Sequence, residues 1–254
     1  METHVRLPER IGFETFGMRN LFRALFPFFH CRCSVPAERL GDEPLVFVCN
    51  HYEIFGPLAV AVSLPVRFRL WMSNEMLEPE RYVDKTALGL QHAFPMLSLE
   101  RAKSLYLGLC PLTGKALHKL TPIPVHREDP SRIINTMRQT AEAMARGEHV
   151  VIFPEDGQPR YSNGSVTEFM QGFALVGEFY RRETGKDARF CPLYIDKRHR
   201  RLCFGDVVTY GRGNAIAESS RVSREIREQM LEMARASGYR EEKDPARISA
   251  AVSA

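Results

Sequence analysis

The sequence predicts an α/β fold: a single domain built on a mostly parallel sheet flanked by helices, with an amphipathic helix at the N-terminal end. Three observations carry this. Short apolar, β-branched runs alternate with longer stretches of helical period, the pattern of strands joined by crossover helices. The clearest unit is Leu45–Pro57, L-V-F-V-C-N-H-Y-E-I-F-G-P, in which a buried-strand run leads into a tight loop bearing His51. The third is placement: His51, Arg127 and Glu155 each stand just after an apolar strand. In such sheets functional groups gather at the carboxyl ends of strands, so these three are expected to face one crevice.

Taken in order, residues 1–10 are polar. Met18, Leu21, Phe22, Leu25, Phe26 and Phe29 then recur on one face of a helix, with Arg19, Asn20 and Arg23 on the other side. Pro27 is expected to end or kink that helix near Ala24–Phe26. Two readings of the stripe stay open: packing on the chain's own domain, or an interfacial helix with Phe and Leu among lipid headgroups and Arg on phosphates. After the Leu45–Cys49 strand, Gly56 suits an N-cap and Pro57 the first helical position, ahead of the apolar run Leu58–Leu64.

Val66–Met72 reads as a second strand, followed by a loop and first turn over Ser73–Pro79. Leu88–Leu120 holds helical stretches interrupted by Pro95, Pro111 and Gly114. Thr121–Val125 is a short strand, and Ser131 is the expected cap of a helix running through Ala145 and closed by Gly147. His149–Phe153 is a β-branched strand that delivers Pro154-Glu155-Asp156-Gly157. A helix from about Thr167 to Arg182 is expected next, then strands over Ala188–Ile195 and Leu202–Val208. Ser219 and Ser220 open a last helix to about Ser237. The resulting division is an N-terminal segment 1–40, an α/β domain 41–237 and a tail 238–254 expected to be disordered.

Composition sets limits. With 254 residues, 44% hydrophobic and 26% charged, the chain has the make-up of a folded globular protein with a substantial core. No apolar run approaches the roughly 18 to 20 residues of a membrane span, and the N-terminus lacks the order of a secretory signal. The expectation is a cytoplasmic protein, either soluble or peripheral to the inner face of the membrane. A formal charge of +4 suits anionic lipid, phosphorylated substrates or an acidic carrier, and selects none. The run His30-Cys31-Arg32-Cys33 has no second Cys/His pair at zinc spacing, so no metal is expected.

Several chemistries lack their motifs. There is no G-x-S-x-G elbow, Gly114-Lys115 lacks the preceding glycine of a P-loop, and Gly211-Arg-Gly213 reads as a turn. No basic–aromatic run forms a nucleic-acid platform, so nucleic acid is not an expected partner. What remains is one His, two candidate arginines (Arg127 and Arg160) and two adjacent acids (Glu155 and Asp156). A His takes a proton from an alcohol and arginines grip phosphate in a bidentate fork, which fits group transfer onto the hydroxyl of a phosphorylated acceptor.

Asn50-His51, Ile123-Pro124-Val125-His126-Arg127, Phe153-Pro154-Glu155, Phe169-Met-Gln-Gly172 and Cys191-Pro192-Leu193-Tyr194-Ile195 stand in the order of the blocks of the glycerolipid acyltransferases. Over roughly Leu45 to Val208 the chain resembles the 1-acylglycerol-3-phosphate acyltransferases of phospholipid synthesis. The resemblance implies that His51 activates an acceptor hydroxyl for attack on an acyl thioester, with no covalent acyl-enzyme and no cofactor. It implies acyl-CoA or acyl carrier protein as donor, a lysophospholipid acceptor and a membrane surface as partners. By position, Arg127 and Arg160 would hold the acceptor phosphate, with Glu155 and Asp156 in the acceptor site. Two departures stand out. The family's His, four residues, Asp pattern has Gly56 at the acid's place, and Glu53 is the nearest local substitute. In the third block, Phe153-Pro-Glu-Asp-Gly-Gln-Pro-Arg160, the Arg is displaced by two positions. A non-catalytic relative that binds lipid or a protein partner is the alternative.

Overall fold

The computed structural model describes residues 23–24, 27–36, 41–52, 55–77, 83–84, 87–88, 91, 96–108, 121–126, 130–155, 166–170 and 172–239. Most of the Met18–Phe29 stripe therefore lies outside the described residues, as does the tail beyond Tyr239. Within that stripe Arg23–Ala24 are helical and Pro27–Phe29 form a 3-10 turn.

Strand β1 is Arg32–Cys33 and β2 is Leu45–Cys49. Helix α1 (Phe55–Ser63) follows, then β3 (Phe68–Ser73), the short α2 (Asn74–Leu77), β4 (Ile123–Val125), α3 (Pro130–Ala145) and β5 (His149–Ile152). A 3-10 turn at Phe173–Leu175 leads into α4 (Val176–Thr184). The chain continues through β6 (Arg189–Asp196), β7 (Arg201–Phe204), β8 (Val208–Thr209) and α5 (Ala215–Ala236). Residues 99–108 are also helical.

The sheet order is β1-β7-β6-β2-β5-β3-β4, with β8 also paired to β6. From β6 across to β4 every pairing is parallel, and β7 and β8 add antiparallel partners to β6. This is the mixed, mostly parallel α/β sheet that the alternating pattern predicted. Both faces are covered, which explains why β2 reads as an unbroken apolar run. Val46 and Val48 face a core shared with Val150, Ile152, Phe190 and the inner faces of α3, α4 and α5. Leu45, Phe47 and Cys49 point the other way, onto Ala59 and Val60 of α1. Removing a fully buried side chain such as Phe47 costs about 3–5 kcal/mol.

Several local expectations change. Thr167–Met170 is not helical: Met170 N–H donates to Pro154 O at 2.8 Å and Phe169 bridges Glu155, so this segment is extended. The strand expected over Leu202–Val208 is divided between β7 and β8, and Ser131 lies inside α3, which begins at Pro130. Gly172, with φ +99°, then turns the chain into the 3-10 turn. The last helix starts earlier than Ser219, because Asn214 caps it by accepting from Ile216 and Ala217 N–H at 3.0 and 3.1 Å. Helix α1 begins at Phe55, so Gly56 and Pro57 lie in its first turn, where proline's missing N–H is still harmless.

Cys31 and Cys33 are core thiols. Burial pushes them up to about 11 and about 12, and the Cys31 N–H donates to Ser63 Oγ at 2.8 Å. Among the described residues no group of three or more His, Cys, Asp or Glu is placed to hold a metal ion.

Candidate functional site

The site is built where the central strand ends. β2 is buried along its whole length and paired on both sides, by β5 and β6, so the residues after Cys49 emerge at a fixed position on the carboxyl edge. Asn50 fixes the exit. Its side chain is 1% exposed; Oδ1 accepts the Ile195 N–H at 2.7 Å and Nδ2 donates to Ile195 O at 3.4 Å. A primary amide supplies both a donor and an acceptor, so it extends the β2–β6 pairing one step beyond the last strand residue.

His51 follows, half-buried, with its ring edge-on to Phe153 at 5.2 Å between centroids. Phe153 is the residue after β5, so two adjacent parallel strands bring the two rings together. Glu155 completes the frame. It is 1% exposed, its Oε2 accepts the His51 main-chain N–H at 2.7 Å, and its Oε1 accepts the Thr167 N–H at 3.0 Å. One carboxylate thus ties the histidine loop to the extended segment before α4. The bond is to the main chain of His51, so Glu155 sets where the loop lies.

Burial pushes the Glu155 carboxyl up to about 7, against the two N–H bonds and the Arg227 charge, which pull it down. Near neutral pH this group therefore divides between its two forms. Arg227 reaches the same region, pairing with Glu168 at 2.8 Å and donating to Thr167 O at 3.2 Å.

Gly56 stands where the resemblance places an acid. A Cβ there would meet Asn50 O at 3.4 Å and Ile195 Cδ1 and Phe153 Cε1 at 3.5 Å, ordinary contact distances. The position has room for a Cβ, and it borders the phenyl ring on which His51 packs.

Glu53, Arg127, Asp156 and Arg160 lie outside the described residues. Of the sequence candidates the structure thus brings together His51 and Glu155. Just before Arg127, His126 lines a cavity of about 190 Å³ with Pro124, Arg132, Asn135, Thr136 and Gln139. Three strand spacings of about 4.8 Å separate β4 from β2, on the order of 14 Å.

Sequence reasoning missed Asn50 and Thr167 as structural partners of the site. For Asn50 a signal existed: a polar amide directly after five fully buried residues needs partners of its own. Thr167 carried none, because its main-chain N–H is used rather than its side chain. His149 shows the opposite case. Its Nδ1 accepts the Leu45 N–H at 3.0 Å, at the far end of β2 from His51, and burial lowers it to about 4. It is a neutral structural histidine.

The Acyltransferase family model matches residues 87–194, in agreement with the resemblance to the glycerolipid acyltransferases. The matched span takes in Ile123–Arg127, Phe153–Glu155, Phe169–Gly172 and most of the Cys191–Ile195 block, and it begins after His51. No curated protein matches the chain. The match supports acyl transfer in general.

Proposed function

From this acyltransferase match we propose that the chain is an O-acyltransferase that moves a fatty acyl group from a thioester, acyl-CoA or acyl carrier protein, to the hydroxyl of a lysophospholipid such as 1-acylglycerol-3-phosphate. His51 takes the hydroxyl proton as the oxygen attacks the thioester carbonyl. The C–S bond then breaks, and the thiol leaves with a proton returned by the imidazolium. Arg127 and Arg160 hold the acceptor phosphate, and Glu155 and Asp156 shape that side of the site. The enzyme works at the cytoplasmic face of a membrane, where its acceptor resides. The observation that carries the reading is the His51 loop itself: it leaves the central strand at the carboxyl edge, clamped by Asn50 on one side and Glu155 on the other.

Gly56 favours a second reading, a lipid- or partner-binding protein of the same fold, because no carboxylate stands there to hold the imidazolium. Purified protein incubated with lysophosphatidic acid and either donor decides between them. Product formation that His51→Ala lowers by roughly a hundred- to ten-thousand-fold supports the enzyme. No product over a range of donors and acceptors, together with tight lipid binding, supports the second reading. Within the enzyme reading, a tenfold or greater loss of kcat in Glu53→Gln, with KM little changed, assigns Glu53 the part of the missing acid.

A further inference from the structure

Four cationic side chains and one histidine, Lys197-Arg198-His199-Arg200-Arg201, form the turn between β6 and β7 and enter β7. β6 runs parallel to β2, with Leu193 opposite Cys49, so this turn lies on the same edge of the sheet as His51 and one strand away. The Lys197 ammonium sits 5.8 Å from the Tyr52 ring centroid and 5.2 Å from that of Phe55. The turn therefore packs against the His51 loop.

Beneath it, the buried Asp196 carboxylate accepts from His199 Nδ1 at 2.8 Å and Arg201 Nη2 at 3.1 Å. Lys197 and Arg198 stay exposed. Arg200 adopts φ +53°, unusual for a side chain of its size, and its guanidinium donates to Pro27 O at 2.9 Å and His30 O at 2.8 Å. Those bonds hold the 3-10 turn Pro27–Phe29, in which Phe29 packs on Phe55 at 5.4 Å while Phe28 is 78% exposed. Burial lowers the His30 pKa, and so does the positive charge of Arg23 and Arg200, which marks the surface as cationic.

We propose that the Lys197–Arg201 turn and the exposed Phe28 form one docking surface for an anionic phospholipid bilayer, with Phe28 inserted among the headgroups and Lys197 and Arg198 on their phosphates. The inference rests on the acyltransferase reading only in its purpose, which is to bring the His51 edge of the sheet to a lipid acceptor. Charge alone would suit an acidic carrier protein equally well. The exposed aromatic decides for the bilayer, because it adjoins in sequence the apolar stripe Met18–Phe29 and bare phenyl surface is stabilised by the interfacial region of lipid.

The test is vesicle flotation of the full-length protein, without substrates, on phosphatidylglycerol–phosphatidylcholine vesicles and on pure phosphatidylcholine. The wild type should float with the anionic vesicles, and high salt should release most of it. Replacing both Lys197 and Arg198 by Gln should weaken partition roughly thirty-fold. Phe28→Ser should weaken it by about tenfold or more. Phe28→Ser should melt with the wild type, and so should the single variant Arg198→Gln, which leaves Lys197 on Tyr52 and Phe55 and should still weaken partition roughly fivefold, so lost binding is separated from lost folding. Undiminished flotation of any of these variants overturns the proposal, as does wild-type binding that ignores lipid charge and salt. A variant that keeps vesicle binding and loses binding to an acidic carrier protein would assign the surface to that protein instead. Failure of the acyltransferase reading registers separately, as absence of product with short-chain, monomerically dissolved substrates.

Discussion

Replacing Glu155 by Gln tests the frame of the site directly. The carboxylate accepts two main-chain N–H bonds while almost wholly buried. Gln keeps the size but offers one acceptor oxygen, so one of those N–H groups loses its partner, at a cost of about 1–3 kcal/mol. The pH dependence is more diagnostic. A carboxyl whose folded pKa is raised binds its proton more tightly in the native state than in the unfolded state. The stability this contributes is full below the ordinary value of 4.5 and is lost as pH rises through about 7. At about 1.4 kcal/mol per pH unit, the difference between wild type and Gln should shrink by about 2–3 kcal/mol between pH 5 and pH 8. Urea unfolding of both proteins across that range reads it. Subtracting the variant cancels groups common to both, including His149, whose lowered pKa makes it lose stability in the opposite direction, as pH falls through about 4. Parallel stability curves for the two proteins would refute the argument. They would mean that the two N–H bonds outweigh burial and keep Glu155 ionised throughout.

Asn50→Ala leaves the Ile195 N–H and C=O without the amide that now serves both, and should cost about 1–3 kcal/mol in urea unfolding while loosening the His51 loop. Gly177→Ala places a Cβ inside the buried Tyr210 ring, so we expect a loss of about 1–3 kcal/mol. A melting scan should show it as about 2–4 °C per kcal/mol for a chain of this size. Gly56→Ala should fold normally, because the added Cβ makes only ordinary contacts. Gly56→Asp should lower turnover in the acyl-transfer assay, since its carboxylate would stand among Phe153 and Ile195 at a buried position. Raised turnover would instead identify the natural site as an impaired dyad.

The layered α/β architecture and most strand positions were legible in the order of the residues alone. Leu45–Cys49 was legible because a strand covered on both faces needs no polar alternation, and His149–Ile152 and Arg189–Asp196 follow the same rule. That order also singled out His51 and Glu155, since polar groups that follow buried strands collect on one edge. Other features are decided by partners remote in sequence. Strand β1 is only two residues long, too short to carry a periodic signal, and exists because Arg32 and Cys33 find β7. Thr167–Met170 has helix-compatible side chains, yet its backbone bonds go to Pro154 and Glu155 instead. His149 and His51 both flank buried strands, and only the fold places them at opposite ends of β2, one accepting the Leu45 N–H and the other beside Phe153. The role of the Glu155 carboxylate was equally hidden, because 104 positions of chain separate it from the His51 N–H that it accepts. Periodicity reports which face of an element is buried; it carries no information on which distant main-chain group a buried carboxylate will meet, and that meeting fixes the site.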